Sequence, residues 1–184
     1  MPSSTAGIAL PDRTRHGAPR RDKARQGATR RDNQPVAGRY LEDFQIGEVI
    51  YSPESYEVTP ERLAAYASEY DPQPIHLDPD AAAREMFGGI IASGWHSLSV
   101  TMRLIVRSNI FGGAPVVGVG VDNLRYLQPV RAGDRLTARA EVLGTRPSSR
   151  HPERGYLTLR ITTTRQDGEP VLTQDWTVLV PRRS

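Results

Sequence analysis

The sequence predicts an α+β domain in which an antiparallel five-stranded sheet wraps around one long central helix. Three observations predict it. The segment from Trp95 to Ile110 is apolar on most of its circumference at helical spacing, so most of that circumference is expected to be buried. One alternating stretch precedes this segment and four longer ones follow it. Gly118 and Gly120 lie on one face of their strand, where the missing side chains would let a helix approach closely.

Each element has its own signals. Glu48 to Val58 alternates loosely and ends at Thr59-Pro60-Glu61, a strand running into a helix with Thr59 as cap and Pro60 at the first helical position. In that helix Leu63, Tyr66, Ala67 and Tyr70 recur at i, i+3, i+4 and i+7, one apolar stripe for a core. Asp71-Pro72 stops it, because the proline ring disfavours helical geometry at Asp71 and has no N–H to give. Asp78-Pro79-Asp80 repeats the cap signature and opens a short helix through Met86, closed by Gly88-Gly89. In the long helix, Trp95, Leu98, Met102 and Ile105 form one stripe, with Val100, Leu104 and Val106 elsewhere around it.

The remaining strands alternate cleanly. Val117, Val119 and Val121 make the first; Leu136, Ala138, Ala140 and Val142 the second; Leu157, Leu159 and Ile161 the third. A last strand, Val171 to Val180, follows the turn at Asp167-Gly168.

Charge divides the chain differently. Residues 1–38 hold eight Arg and Lys against three Asp, a net +5, whereas the whole chain is only +3, so everything after Gly38 is −2. The alkaline balance therefore belongs to a polar leading segment, expected to be disordered, and the domain is expected from Arg39 onward. That segment lacks the interleaved aromatics of a single-strand stacking platform, so a nucleic-acid partner is not expected. The absence of cysteine excludes disulfides, thiolate metal sites and thiol nucleophiles. No stretch reaches the roughly 18 to 20 apolar residues of a membrane span, and the first residues form no signal-peptide core, which points to a soluble cytoplasmic protein.

The chemistry is concentrated in Tyr70-Asp71-Pro72-Gln73-Pro74-Ile75-His76-Leu77-Asp78 and in Phe87 to Gly94. Asp71 and His76 stand five residues apart on a loop stiffened by two prolines, so little entropy is spent in holding them convergent. Adding water across a conjugated thioester needs such a pair. One group takes a proton as water attacks Cβ, one protonates Cα, and both must approach the same face of the substrate. The negative charge that develops on the thioester oxygen needs donors, and the start of the long helix at Gly94 offers a free backbone N–H with a favourable dipole. Asp78 is read only as a helix cap.

The run Asp71-Pro72-Gln73-Pro74-Ile75-His76-Leu77-Asp78, with Ser93-Gly94 a helix further on, resembles the hydratase motif of the MaoC-like dehydratases and (R)-specific enoyl-CoA hydratases. The segment from Val121 to Val130 resembles the family strand that passes beside the site, and the resemblance covers about Tyr40 to Val180. It implies a hot-dog fold and a hydro-lyase acting on enoyl thioesters, carried by CoA or acyl-carrier protein, within fatty-acid metabolism. It also implies R stereochemistry and a homodimer whose acyl channel runs along the interface. Under it the catalytic pair is Asp71 and His76, the oxyanion-hole N–H is that of Gly94, and Gln73 and Ser93 contact substrate. Two departures stand out. Gln73 replaces the family's Asn, and Ser93 replaces its His, while His96 follows two residues after Gly94 and is expected to pack or be solvated.

Other candidates are weaker. Arg125, Arg131 and Arg135 stand near a turn where they could meet the phosphates of coenzyme A. His151 lies in a polar loop and is read as structural. The sequence has no metal-ligand spacing and no glycine-rich phosphate loop after a strand, so no metal and no cofactor are expected. Two other functions remain open at this level: a thioesterase, and a non-catalytic subunit that binds acyl thioesters.

Overall fold

A computed structural model describes residues 38–183. The polar leading segment expected to be disordered lies outside the described residues. Near the start of the described residues, Arg39 is held by its neighbours. Its backbone N–H reaches Phe111 O, and its guanidinium pairs with Glu48 at 2.8 Å. A single 3-10 turn, Leu41–Asp43, follows.

The expected first strand is two short ones, β1 (Val49–Tyr51) and β2 (Tyr56–Glu57), because Pro53 interrupts the extended run. Both pair with the same partner, β4 (Arg135–Pro147), at Val49↔Glu141 and Tyr56↔Leu136. Helix α1 (Pro60–Tyr70) starts where its cap predicts, with Thr59 Oγ1 accepting the N–H of Arg62. Of its predicted stripe, Leu63 and Ala67 are buried and Tyr70 is exposed. The segment read as a loop around His76 is one turn of helix, α2 (Pro74–Leu77), since Pro74 presets a helical first position just as Pro60 does. Helix α3 (Pro79–Arg84) follows on the Asp78 cap, which accepts the N–H groups of Asp80 and Ala81. It ends two residues before Met86, and Gly88 and Gly89 then turn the chain with φ of 64° and 151°.

The sheet is antiparallel throughout, in the order β1-β4-β5-β6-β3, with β5 at Arg154–Thr164, β6 at Pro170–Pro181 and β3 at Val117–Tyr126. Its concave face carries the alternating residues read from the sequence. Leu136, Ala138, Ala140 and Val142 meet Leu157, Leu159 and Ile161, in register at Ala140↔Ile161 and Val142↔Leu159, with Trp176 and Val178 beyond. Across this face lies α4 (Gly94–Arg107), which buries Val100, Leu104 and Ile105. Thr101 Oγ1 meets Thr163 Oγ1 at 2.7 Å inside the core, so these two buried hydroxyls satisfy one another. This is the predicted α+β architecture, a sheet curled around a helix in the hot-dog manner.

Two expectations about packing are corrected. α4 is not buried on most of its circumference: Trp95, Met102 and Val106 are 64%, 48% and 55% exposed. One sheet can cover only one face of a helix, and apolarity alone does not say whether the other face is covered by this chain or by something else. Nor does a helix approach Gly118 and Gly120, whose missing side chains face open space. β3 pairs only with β6 and forms the outer edge, so the valines beside those glycines are exposed as well.

β3 also carries a bulge between Asp122 and Arg125. There Asn123 adopts φ of 51° and its amide donates to Asp175 on β6, at 2.8 Å. Asp175 is clamped from the other side by Arg160, at 2.9 and 3.0 Å. The Arg160 contact and then the Asn123 amide hold the Asp175 carboxyl below its ordinary range.

Candidate active site

Asp71 closes α1. Its backbone N–H still reaches Ala67 O, but its φ of −151° turns the chain out, and its side chain leaves the helix end at a fixed place. Two residues on, Gln73 caps α2 and Pro74 opens it, which brings His76 back toward Asp71. The imidazole Nε2 stands 3.3 Å from Asp71 Oδ2, with His76 8% and Asp71 17% exposed. His76 Nδ1 lies 2.9 Å from the carbonyl oxygen of Ile91. A carbonyl can only accept, so that bond places a proton on Nδ1 and leaves Nε2 as the atom that gains or loses one.

The carboxylate is held from three sides. Ser93 Oγ donates to Oδ2 at 2.6 Å and the Gln73 amide donates to Oδ1 at 2.6 Å, with His76 beside them. The Ser93 hydroxyl, then the Gln73 amide, hold the Asp71 carboxyl below its ordinary range against the opposing effect of burial. Ser93 is also the cap of α4, its Oγ accepting the N–H of Trp95 at 3.2 Å. The expectation that Ser93 contacts substrate therefore meets a different geometry. Its side chain is 2% exposed, and its hydroxyl is used between Asp71 and the helix.

Gly94 follows as the first residue of α4, and its N–H has no acceptor among the described residues. Gly94, Asp71 and His76 line one pocket of about 370 Å³, whose walls include Phe87, Tyr126 and Val130. Gln73 also lines it. The backbone of the loop before α4 is fixed on both sides, since Ala92 N–H donates to Val130 O at 2.7 Å and Ile91 O holds His76. A carboxylate held ionised, an imidazole with a defined tautomer and a free N–H at a helix start can together move a proton and stabilise a developing oxyanion.

Several candidates lie apart from the pair. Arg131 is held to the loop beside the pocket, its guanidinium donating to Phe87 O and Ile90 O. Arg125 donates to Leu124 O, and Arg125 and Arg135 are exposed. His151 sits at the surface 3.7 Å from Glu153. His96 is buried away from the pocket, stacked on Tyr66 with ring centroids 4.7 Å apart; burial first, then Arg62, pushes its proton off at lower pH than usual. Sequence reasoning missed the Ile91 carbonyl, which has no side-chain signature. Tyr126 falls inside the Val121 to Val130 segment without being singled out, although an aromatic ending that strand is a readable signal. Among the described residues no three His, Asp or Glu side chains stand together as metal ligands, and no helix is long and apolar enough to cross a membrane.

Residues 43–164 match the MaoC like domain family. The chain is 31% identical to the uncharacterised protein YdeM of Bacillus subtilis over 77% of its own length and 99% of that protein. It is 30% identical to 3-hydroxyacyl-thioester dehydratase Z of Mycobacterium tuberculosis, over 53% of this chain and 66% of that one. The crystal structure of the MaoC-like dehydratase from Rhodospirillum rubrum superposes with a TM-score of 0.73 at 38% identity, covering 80% of this chain and 99% of that one. With the motif, the sheet wrapped around α4 and these matches in agreement, this chain belongs to the family of MaoC-like domains, which includes hydratases and dehydratases of the hot-dog fold.

Proposed function

We propose that the protein adds water to, or removes it from, the 2,3 bond of an enoyl thioester, giving or consuming the (R)-3-hydroxyacyl thioester. The observation that carries this reading is the Asp71–His76 pair, 3.3 Å apart, in one pocket with Gly94 at the start of α4. Water bound between the pair and C3 gives a proton to His76 Nε2 while its oxygen bonds to C3. The π electrons move onto the thioester oxygen, which Gly94 N–H stabilises. Asp71, ionised throughout, holds the imidazolium and orients the water. The proton on Nε2 then passes to C2 on the same face and the carbonyl reforms. Dehydration is the reverse. The test is loss of the enoyl-thioester absorbance with crotonyl-, hexenoyl- and branched enoyl-CoA; no turnover of any chain length, on either CoA or acyl-carrier protein, would sink the reading.

Ser93 acts here through Asp71. In Ser93→Ala the carboxyl loses its strongest donor, so its pKa rises and the acid limb of the rate profile moves to higher pH. The same shift weakens acid resistance of the fold. A carboxyl depressed in the folded state contributes stability above its unfolded pKa and loses it as pH falls through the folded value, and the variant gives up part of that contribution.

The working unit is proposed to be a homodimer. β3 is an open edge with Val117, Val119 and Val121 exposed, and α4 leaves Trp95, Met102 and Val106 uncovered on its outer face. An unpaired edge and an apolar face of this size are covered in stable proteins, and a second copy covers both. Sedimentation at micromolar concentration should give twice the mass of one chain; a species with the mass of one chain alone would exclude the dimer.

A further inference from the structure

Tyr126 is the last residue of β3, and the tip of its ring rests on Gly94. A Cβ built on Gly94 would stand 2.7 Å from Tyr126 Cζ, 2.8 Å from Cε1 and 3.0 Å from the phenolic oxygen. The hydroxyl thus occupies the space beside the backbone of Gly94. Tyr126 and Gly94 line the same cavity as Asp71 and His76. Neither the phenol O–H nor the Gly94 N–H has an acceptor among the described residues. Two residues with unspent donors from distant parts of the chain, one at the start of α4 and one at the end of β3, touch at the wall of a pocket that contains Asp71 and His76.

We propose that Tyr126 is a catalytic residue, its O–H joining Gly94 N–H as the second donor to the thioester oxygen. The inference rests on the hydration reading above. As the water oxygen bonds to C3, the electron pair of the C2–C3 double bond moves through C1 onto that oxygen, which then carries a full charge. One N–H donor leaves much of that charge unmet, and a second donor already in place costs no reorganisation at the moment of reaction. The phenol keeps its proton throughout; it donates a hydrogen bond and transfers nothing. Tyr126 is 51% exposed as a residue, but its ring tip packs on Gly94, and desolvation there, with Tyr66 adding, raises the phenol's pKa so that it stays protonated. Gly94 follows from the same arrangement, because any side chain there would push the ring tip off the pocket wall.

Tyr126→Phe keeps the ring and the wall and removes only the donor. Its kcat on the best enoyl thioester should fall about a hundredfold, the usual effect of losing one oxyanion donor. KM should change little, because the contact strengthens only as charge develops. A second readout is independent of turnover. Acetoacetyl-CoA ionises to an enolate with a near-ultraviolet band, and the bound enolate fraction at fixed pH should be lower in Tyr126→Phe than in the wild type. Wild-type kcat and wild-type enolate fraction in Tyr126→Phe would overturn the assignment, as would a loss seen only in Tyr126→Leu, which marks the ring as a wall. If the wild type hydrates no enoyl thioester, the hydration reading fails by itself, and the enolate measurement still decides. A difference between the two proteins keeps the donor pair; equal fractions, or no binding of acetoacetyl-CoA, remove it. Thermal unfolding of Tyr126→Phe should match the wild type.

Discussion

His76→Asn and Asp71→Asn are each expected to lower the hydration rate by about a hundred- to ten-thousand-fold, the span that positioned acid/base groups supply. The double variant should be little worse than either. Nε2 and Oδ2 face one another at 3.3 Å and serve one water, so removing either partner disables the shared proton path, and removing the second finds little left to lose. Asp71→Asn leaves Ser93 and Gln73 pointing donors at an amide, half of which is itself a donor, so part of the loss reflects a rearranged carboxyl site. Gln73→Asn shortens the reach to Oδ1 and should cost far less. Stopped-flow absorbance on all four proteins, with thermal unfolding to confirm that each is folded, checks the scheme. Independent, multiplying losses would show that the two residues do not act as one unit.

Leu104→Ala should be the most damaging of the helix substitutions for stability. Leu104 is fully buried where α4 crosses the sheet, and truncating it leaves a cavity that the surrounding strands cannot close. A loss of about 3 kcal/mol is expected, lowering the melting temperature by about 6 to 12 °C for a chain of this size. Met102→Ala on the same helix removes a similar volume from the face this chain leaves open. Its cost should be small at dilutions where the chain is monomeric, and denaturant melts of the two variants at that dilution check the difference.

The parts legible in the sequence were those set by neighbours along the chain. Thr59 and Asp78 announce their helices because a cap and a following proline act within one turn, and both caps form their bonds. Asp71 and His76 could be paired on paper because Pro72 and Pro74 restrict the few residues between them. The alternation in β4 and β5 reports burial directly, and those residues are buried. What escaped depends on contacts between distant segments. Nothing near Ser93 says that its hydroxyl turns to a carboxylate twenty-two positions earlier, and nothing near Ile91 says that its carbonyl fixes a tautomer. The apolar positions of α4 are correct as helix, yet which of them face the sheet follows from a strand order that no local pattern encodes.

The bulge at Asn123 has a consequence for the pocket on the other side of the sheet. Before it, Val121 lies opposite Trp176 and Asp122 opposite Asp175; after it, Arg125 lies opposite Thr173 and Tyr126 opposite Leu172. Continuous pairing from Asp122 would have set Tyr126 against Val171, one step out of phase, and side chains in a strand alternate faces at each step. The extra residue therefore acts as a frameshift in the ladder, converting an outward position into one that reaches Gly94. What holds the frame is the left-handed Asn123 anchored on Asp175 and, through it, on Arg160. A single-residue insertion or deletion between Asp122 and Arg125 would restore the even count and carry the tyrosine to the opposite surface, with every residue of the Asp71–His76 motif still in place.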